Sequence, residues 1–174
     1  MALLLLLLAS EAVSEPPASW LTFRDAEAGF AVDFPASPVR TRSSQLTVAG
    51  RIHLDVLVAF LDRTEFRVER VDVPAVARWM LSEQGLLERA IRDQLSDEGP
   101  VEVREMPERF GEHPARRATY TDEHGRPGEV RFVLAGRRLI LMAILWPQGE
   151  TDRAGRERFF ASLSLPQEDR ADRR

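Results

Sequence analysis

The sequence predicts a single α+β domain: a mainly antiparallel sheet with helices packed on both faces, an α/β/α sandwich. Three observations lead there. Runs with the two-residue period of half-buried strands recur along most of the chain, separated by short turn-rich gaps. One long stretch, residues 74–97, switches to helical spacing. Finally, Leu139-Ile140-Leu141-Met142-Ala143-Ile144-Leu145 is apolar at every position, as expected of a central strand covered on both faces. Helices on either side of a sheet provide that cover, and the short connections favour antiparallel neighbours.

The elements follow in order. Residues 20–23 form a short strand, and Phe30-Ala31-Val32-Asp33-Phe34 alternates until Pro35 stops it. Residues 45–49 and 51–61 flank Gly50, a turn or bulge between two strands. Ile52, Leu54, Val56 and Val58 share one face of the second. Residues 66–73 alternate again. The helix over 74–97 opens on Pro74, which suits a first turn. Its stripe is Val76, Met80, Leu87 and Ile91, widened by Trp79, Leu86 and Ala90. Gly99-Pro100 ends it. Strands follow at 101–109, 115–121, 129–134 and 138–146, with turns at 111–114, 124–128 and Gly136. Residues 151–163 read as a closing helix capped by Thr151, with Phe159, Phe160 and Leu163 pointing inward.

The chain has 174 residues, enough for one domain and a core that needs neither disulfide nor metal. Apolar residues at 44% and charged residues at 30% are globular proportions. The absence of cysteine excludes disulfides, thiolate metal sites, cysteine nucleophiles and a lipidated cysteine anchor. All 24 basic residues are arginine, so lysine Schiff-base chemistry and a P-loop lysine are also excluded. A net charge of −4 argues against nucleic acid as a partner. The apolar run Ala2–Ala9 is shorter than a bilayer span and matches the core of a secretory signal. Ser10-Glu11-Ala12 supplies the small residues of a cleavage site, although no arginine precedes the run. The expected organisation is a signal peptide over 1–12, a linker over 13–19, one domain over 20–165 and a disordered charged tail over 166–174. Export to the periplasm, cell envelope or exterior is expected, with a cytoplasmic protein as the alternative if the leader does not function.

Several stretches carry a family likeness. Gly29-Phe30-Ala31-Val32-Asp33-Phe34-Pro35-Ala36-Ser37-Pro38 looks like a "G-F-x-V-x-F-P-x-x-P" opening. A long helix follows a strand ending near Pro74. A meander runs through Ala118-Thr119-Tyr120, Arg131-Phe132-Val133-Leu134 and Arg138-Leu139-Ile140-Leu141. Arg158-Phe159-Phe160-Ala161-Ser162-Leu163-Ser164-Leu165 is similar to a closing "R-F-x-x-S-F-x-L". On these residues the sequence resembles the PsbP-like group of bacterial domains, over nearly all of residues 20–165. That group shares its fold with the extrinsic PsbP subunit of photosystem II and with a small eukaryotic Ran-binding import factor. The resemblance implies an antiparallel sheet between helices. It also implies an accessory, assembly or binding role rather than catalysis, and it carries over no catalytic residues. Fold alone does not fix function.

The residues offer little chemistry. His113 and His124 bracket one strand whose length is roughly 36 Å at about 3.3 Å per residue, so they share no ion. His53 is out of phase with Ile52 and Leu54 and faces water. No catalytic, metal-binding or cofactor-binding set emerges, and no nucleophile elbow, HExxH or dinucleotide fingerprint occurs. Ser162 reads as a small residue packing a helix end. Arg116-Arg117 and Arg137-Arg138 each point to opposite faces of a strand and read as surface charge. Trp146 has two readings: an interface anchor at a strand end, or a ring packed under the following helix.

The expected function is that of an exported, monomeric, non-enzymatic binding or assembly domain with a protein partner and no membrane span in its mature form. The alternatives are a small-ligand or lipid-binding domain and, last, a small hydrolase. A pocket with convergent ionisable groups would favour an enzyme, a deep apolar pocket a ligand binder, and a flat aromatic and arginine patch a protein partner. Strand direction brings the loops 98–100, 122–128 and 146–150 to one end of the sheet. The candidate binding residues are therefore Glu123, His124, Arg126, Trp146 and Gln148, a polar rim around one aromatic group.

Overall fold

The structure is a computed structural model that describes residues 19–26, 29–47, 50–99, 102–149 and 152–165. The expected leader, most of the linker, the tail and Thr151 lie outside the described residues, and the closing helix is capped not by Thr151 but by Asp152, whose side chain accepts from Gly155 N at 2.9 Å.

Nine strands and three helices are described: β1 (Leu21–Asp25), β2 (Phe30–Phe34), β3 (Val39–Thr47), β4 (Gly50–Leu61), β5 (Thr64–Asp72), α1 (Ala75–Met80), α2 (Glu83–Glu98), β6 (Glu102–Phe110), β7 (His113–Thr121), β8 (Pro127–Ala135), β9 (Arg138–Leu145) and α3 (Arg153–Ala161). Seven strands form one sheet in the order β3-β4-β5-β9-β8-β7-β6, every pair antiparallel. β9, which carries the apolar run Leu139–Leu145, is the middle strand and is buried on both faces. Its odd and even positions divide between two cores. Ile140, Met142 and Ile144 pack with Phe159, Phe160 and Leu163 at the end of α3 and with Phe30, Val32 and Phe34 of the β1–β2 hairpin. Leu141, Ala143 and Leu145 pack with Leu87, Ile91 and Leu95 of α2. The α+β layering with helices on both faces is thus the observed architecture.

The hairpin is tied to its face by main-chain bonds between Ala31 and Ser164. Ser162 adds to this, its Oγ accepting from Asp33 N at 2.9 Å and donating to Phe159 O at 2.7 Å. It is the structural helix-end residue that the sequence suggested. A second tie is ionic. Arg40 of β3 reaches both Asp55 of β4 and the buried Asp25 of β1. The hydrogen bond to Asp55 is the largest influence on the Arg40 guanidinium, and despite burial it is held above its usual pKa.

Two details depart from the sequence reading. β3 begins at Val39, six residues earlier than the alternation suggested, because a polar strand at a sheet edge carries no hydrophobic period. The long helix also breaks at Leu81, whose backbone is extended, and Ser82 starts α2 by accepting from Gly85 N at 3.1 Å. The break turns the expected upper stripe outward: Val76, Trp79 and Met80 are 51%, 88% and 68% exposed. Leu87 and Ile91 alone fill the core from that stripe.

Candidate functional site

The end of the sheet where β9 finishes is assembled from turns. The register pairs Leu145 with both Glu65 and Gly128, and Thr121 with both Pro127 and Glu102. The β4–β5 turn, the β7–β8 turn, the start of β6 and the start of the β9–α3 loop therefore lie at one end. Trp146 N donates to Pro127 O at 3.1 Å, which locks the β9–α3 loop to the β7–β8 turn. Gly99, in the left-handed conformation that ends α2, lies against the side chain of Glu123.

Asp122 organises the β7–β8 turn. Its side chain is buried, and Oδ1 accepts from His124 N at 2.9 Å and Arg126 N at 2.7 Å. Oδ2 accepts from Arg126 Nε at 2.8 Å and pairs with its Nη2 at 2.7 Å. Burial opposes ionisation of this carboxyl. The bonds from Arg126 and His124 outweigh burial and hold its pKa below the usual aspartate value. Next to the turn, the Tyr120 ring lies against Gly128. A Cβ at that position would come 2.4 Å from the ring, so a side chain there fits only if the ring moves.

The five sequence-derived residues separate into two groups. Glu123 and His124 are exposed neighbours, 3.6 Å apart, and Arg126 is half-exposed beside them. Gln148 is exposed on the β9–α3 loop. Trp146 is half-buried and packs against the α3-side core, with the Arg156 guanidinium 4.3 Å from its ring centroid. The ring packs beside α3, as the second reading expected, and keeps an exposed portion.

A cleft beside this end escaped the sequence reading. It has a volume of about 400 Å³ and lies between α3 and the strands β7 and β8. Arg117, Glu129, Arg131, Arg153, Arg156 and Glu157 line it, with Phe160 and Ala161 at its apolar side. Arg116 and Arg117 do point to opposite faces. Arg116 pairs with Glu88 of α2 at 2.8 Å, and Arg117 reaches Glu129 at 2.7 Å. What brings arginines together is pairing across strands, because Arg117 lies directly opposite Arg131. The lining ionisable groups are guanidinia, which keep their protons, and carboxylates held beside them; no histidine, serine or threonine lines the cleft. Among the described residues no group of three histidine, aspartate or glutamate side chains could hold a metal ion, and no helix is long and apolar enough to cross a membrane.

The fold is PsbP-like. Among solved structures the chain is similar to the solution structure of cyanobacterial PsbP (CyanoP) from Synechocystis sp. PCC 6803, with a TM-score of 0.57 and 10% sequence identity. The match covers 92% of this chain and 99% of that one. No family model and no curated protein matches the sequence.

Proposed function

We propose that this chain is an exported binding or assembly domain without catalysis of its own, engaging a protein partner through the sheet end that carries Glu123, His124, Arg126, Trp146 and Gln148. The observation that supports this most is the convergence of four chain segments at one end of a rigid seven-stranded sheet, with a half-buried tryptophan among exposed polar groups. Loops on such a scaffold are where contact residues gather, and tryptophan and arginine are the side chains that anchor interfaces. The resemblance to PsbP-like domains also favours binding over catalysis.

The test is crosslinking capture from the source cell envelope with wild type, Trp146→Leu, Arg126→Ala and His124→Ala, each checked by its denaturation midpoint. Loss of the same crosslinked partner from folded variants is the expected result. Undiminished capture by all three would refute this surface. N-terminal sequencing of protein from its native host tests export separately, and a cytoplasmic product that begins at Met1 would refute it.

A further inference from the structure

We infer that the cleft between α3 and β7–β8 binds a small oxyanion, a carboxylate or phosphate, held chiefly by Arg156 and Arg117. The inference goes beyond the partner reading and does not rest on it. Four arginines line the cleft against two glutamates, but they are not equally free to bind. Arg131 is fully engaged: Nε and Nη2 each donate to Glu108 at 3.0 Å, and Nη1 donates to Phe160 O at 2.8 Å. Arg153 donates to Glu157 at 2.7 Å on the open side.

Arg117 and Arg156 differ from these. Arg117 Nη2 lies 2.7 Å from Glu129, an ion pair without hydrogen-bond alignment, and its Nε is buried with no protein acceptor. Arg156 Nη1 is likewise buried with no protein acceptor. Two permanently charged side chains thus line one cleft without a hydrogen-bonded carboxylate. An oxyanion in the cleft would supply acceptors to both and offset the excess of arginine over glutamate in the lining. The guanidinium fork fits the planar oxygens of a carboxylate, or two oxygens of a phosphate.

Two further observations agree. Arg156 is held in place by stacking on Trp146, so it loses little freedom on binding. The size fits as well, since about 400 Å³ suits a small molecule. The cavity on the other side of Arg156, bounded by Asp62, Asp152 and Trp146, is about 50 Å³ and has room for no more than water.

The test is calorimetric titration of the purified full chain with citrate and with inorganic phosphate, ionic strength being fixed with chloride. One saturable site for either titrant is expected, and the tighter titrant identifies the oxyanion. Arg156→Gln and Arg117→Gln should each weaken binding about tenfold or more. Arg89→Gln, on α2 at the opposite face, should bind as wild type. No saturable binding of either titrant by wild type would overturn the inference, as would unchanged affinity in both cleft variants. Should those variants fail to fold, nitrogen-edited spectra of wild type decide. Citrate- or phosphate-induced shifts confined to the Trp146 indole and the Arg117 and Arg156 Nε signals support the site, and shifts scattered over other arginines overturn it.

Discussion

Asp122→Ala isolates the contribution of one buried carboxylate to the sheet end. The carboxylate accepts two backbone bonds, from His124 N at 2.9 Å and Arg126 N at 2.7 Å, and one from Arg126 Nε at 2.8 Å, with Arg126 Nη2 paired to it at 2.7 Å. Arg126 is 48% exposed and can turn to water, so its half of the network is discounted as a surface pair. The backbone donors have less freedom, because Asp122 N is itself bonded to Arg126 O and Gly125 N to Asp122 O within the turn. Stranding them should cost about 2–3 kcal/mol. The pH dependence has a definite sign. The folded pKa of Asp122 is lowered, so its contribution is complete above the unfolded value of about 3.9 and is lost as pH falls through the folded value. Urea midpoints of wild type and Asp122→Ala should therefore differ at neutral pH and approach each other in acid below the folded pKa. Equal midpoints at neutral pH would refute the account, and so would a gap that persists unchanged in acid.

Phe159→Ala should cost about 3–5 kcal/mol by denaturant melt, because the ring is fully buried between Phe34 and Phe66; an unmoved midpoint would mean α3 is not docked. Gly128→Ala should lose about 1–3 kcal/mol by displacing the Tyr120 ring, and Tyr120→Ala in the same chain should recover part of that loss if the ring is the obstacle. Trp79→Ala should shift stability by no more than about 0.5 kcal/mol, since the side chain is 88% exposed; a large loss would restore the continuous helix over residues 74–97.

Much of the fold could be read because the core alternates where the strands do. β9 is apolar at every position from Leu139 to Leu145, and that alone placed it in the middle of the sheet. The helix break was harder to see. Val76 and Met80 continue the spacing of Leu87 and Ile91, so periodicity joins what Ser82 separates. A serine cap inside an amphipathic stretch was the available signal. The three-loop end followed from strand direction, and the same reasoning extended to register would have found the cleft. In the structure the β7–β8 turn centres on His124, and Arg117 and Arg131 stand opposite one another at equal separations from it. The Arg156–Trp146 stack had no such signal, because it depends on how α3 rotates onto the sheet.

That rotation explains why binding character collects on one face. α2 places Leu87, Ile91 and Leu95 at four-residue spacing along its length, so it covers β7, β8 and β9 with apolar side chains throughout. α3 divides its character along its axis instead. Phe159 and Phe160 close the core at its C-terminal end, while Arg153 and Arg156 occupy its first turn. A helix so arranged can seal the sheet only where its rings lie. Its first turn must stand beside β8 and β7 with charge turned toward charge, and the strands there present Glu129, Arg131 and Arg117 rather than apolar side chains. A dry contact at that place would strand several ionised groups, at several kcal/mol for each. The opening that remains is therefore a consequence of the sequence of α3, and its polarity follows from the excess of arginine over glutamate around it.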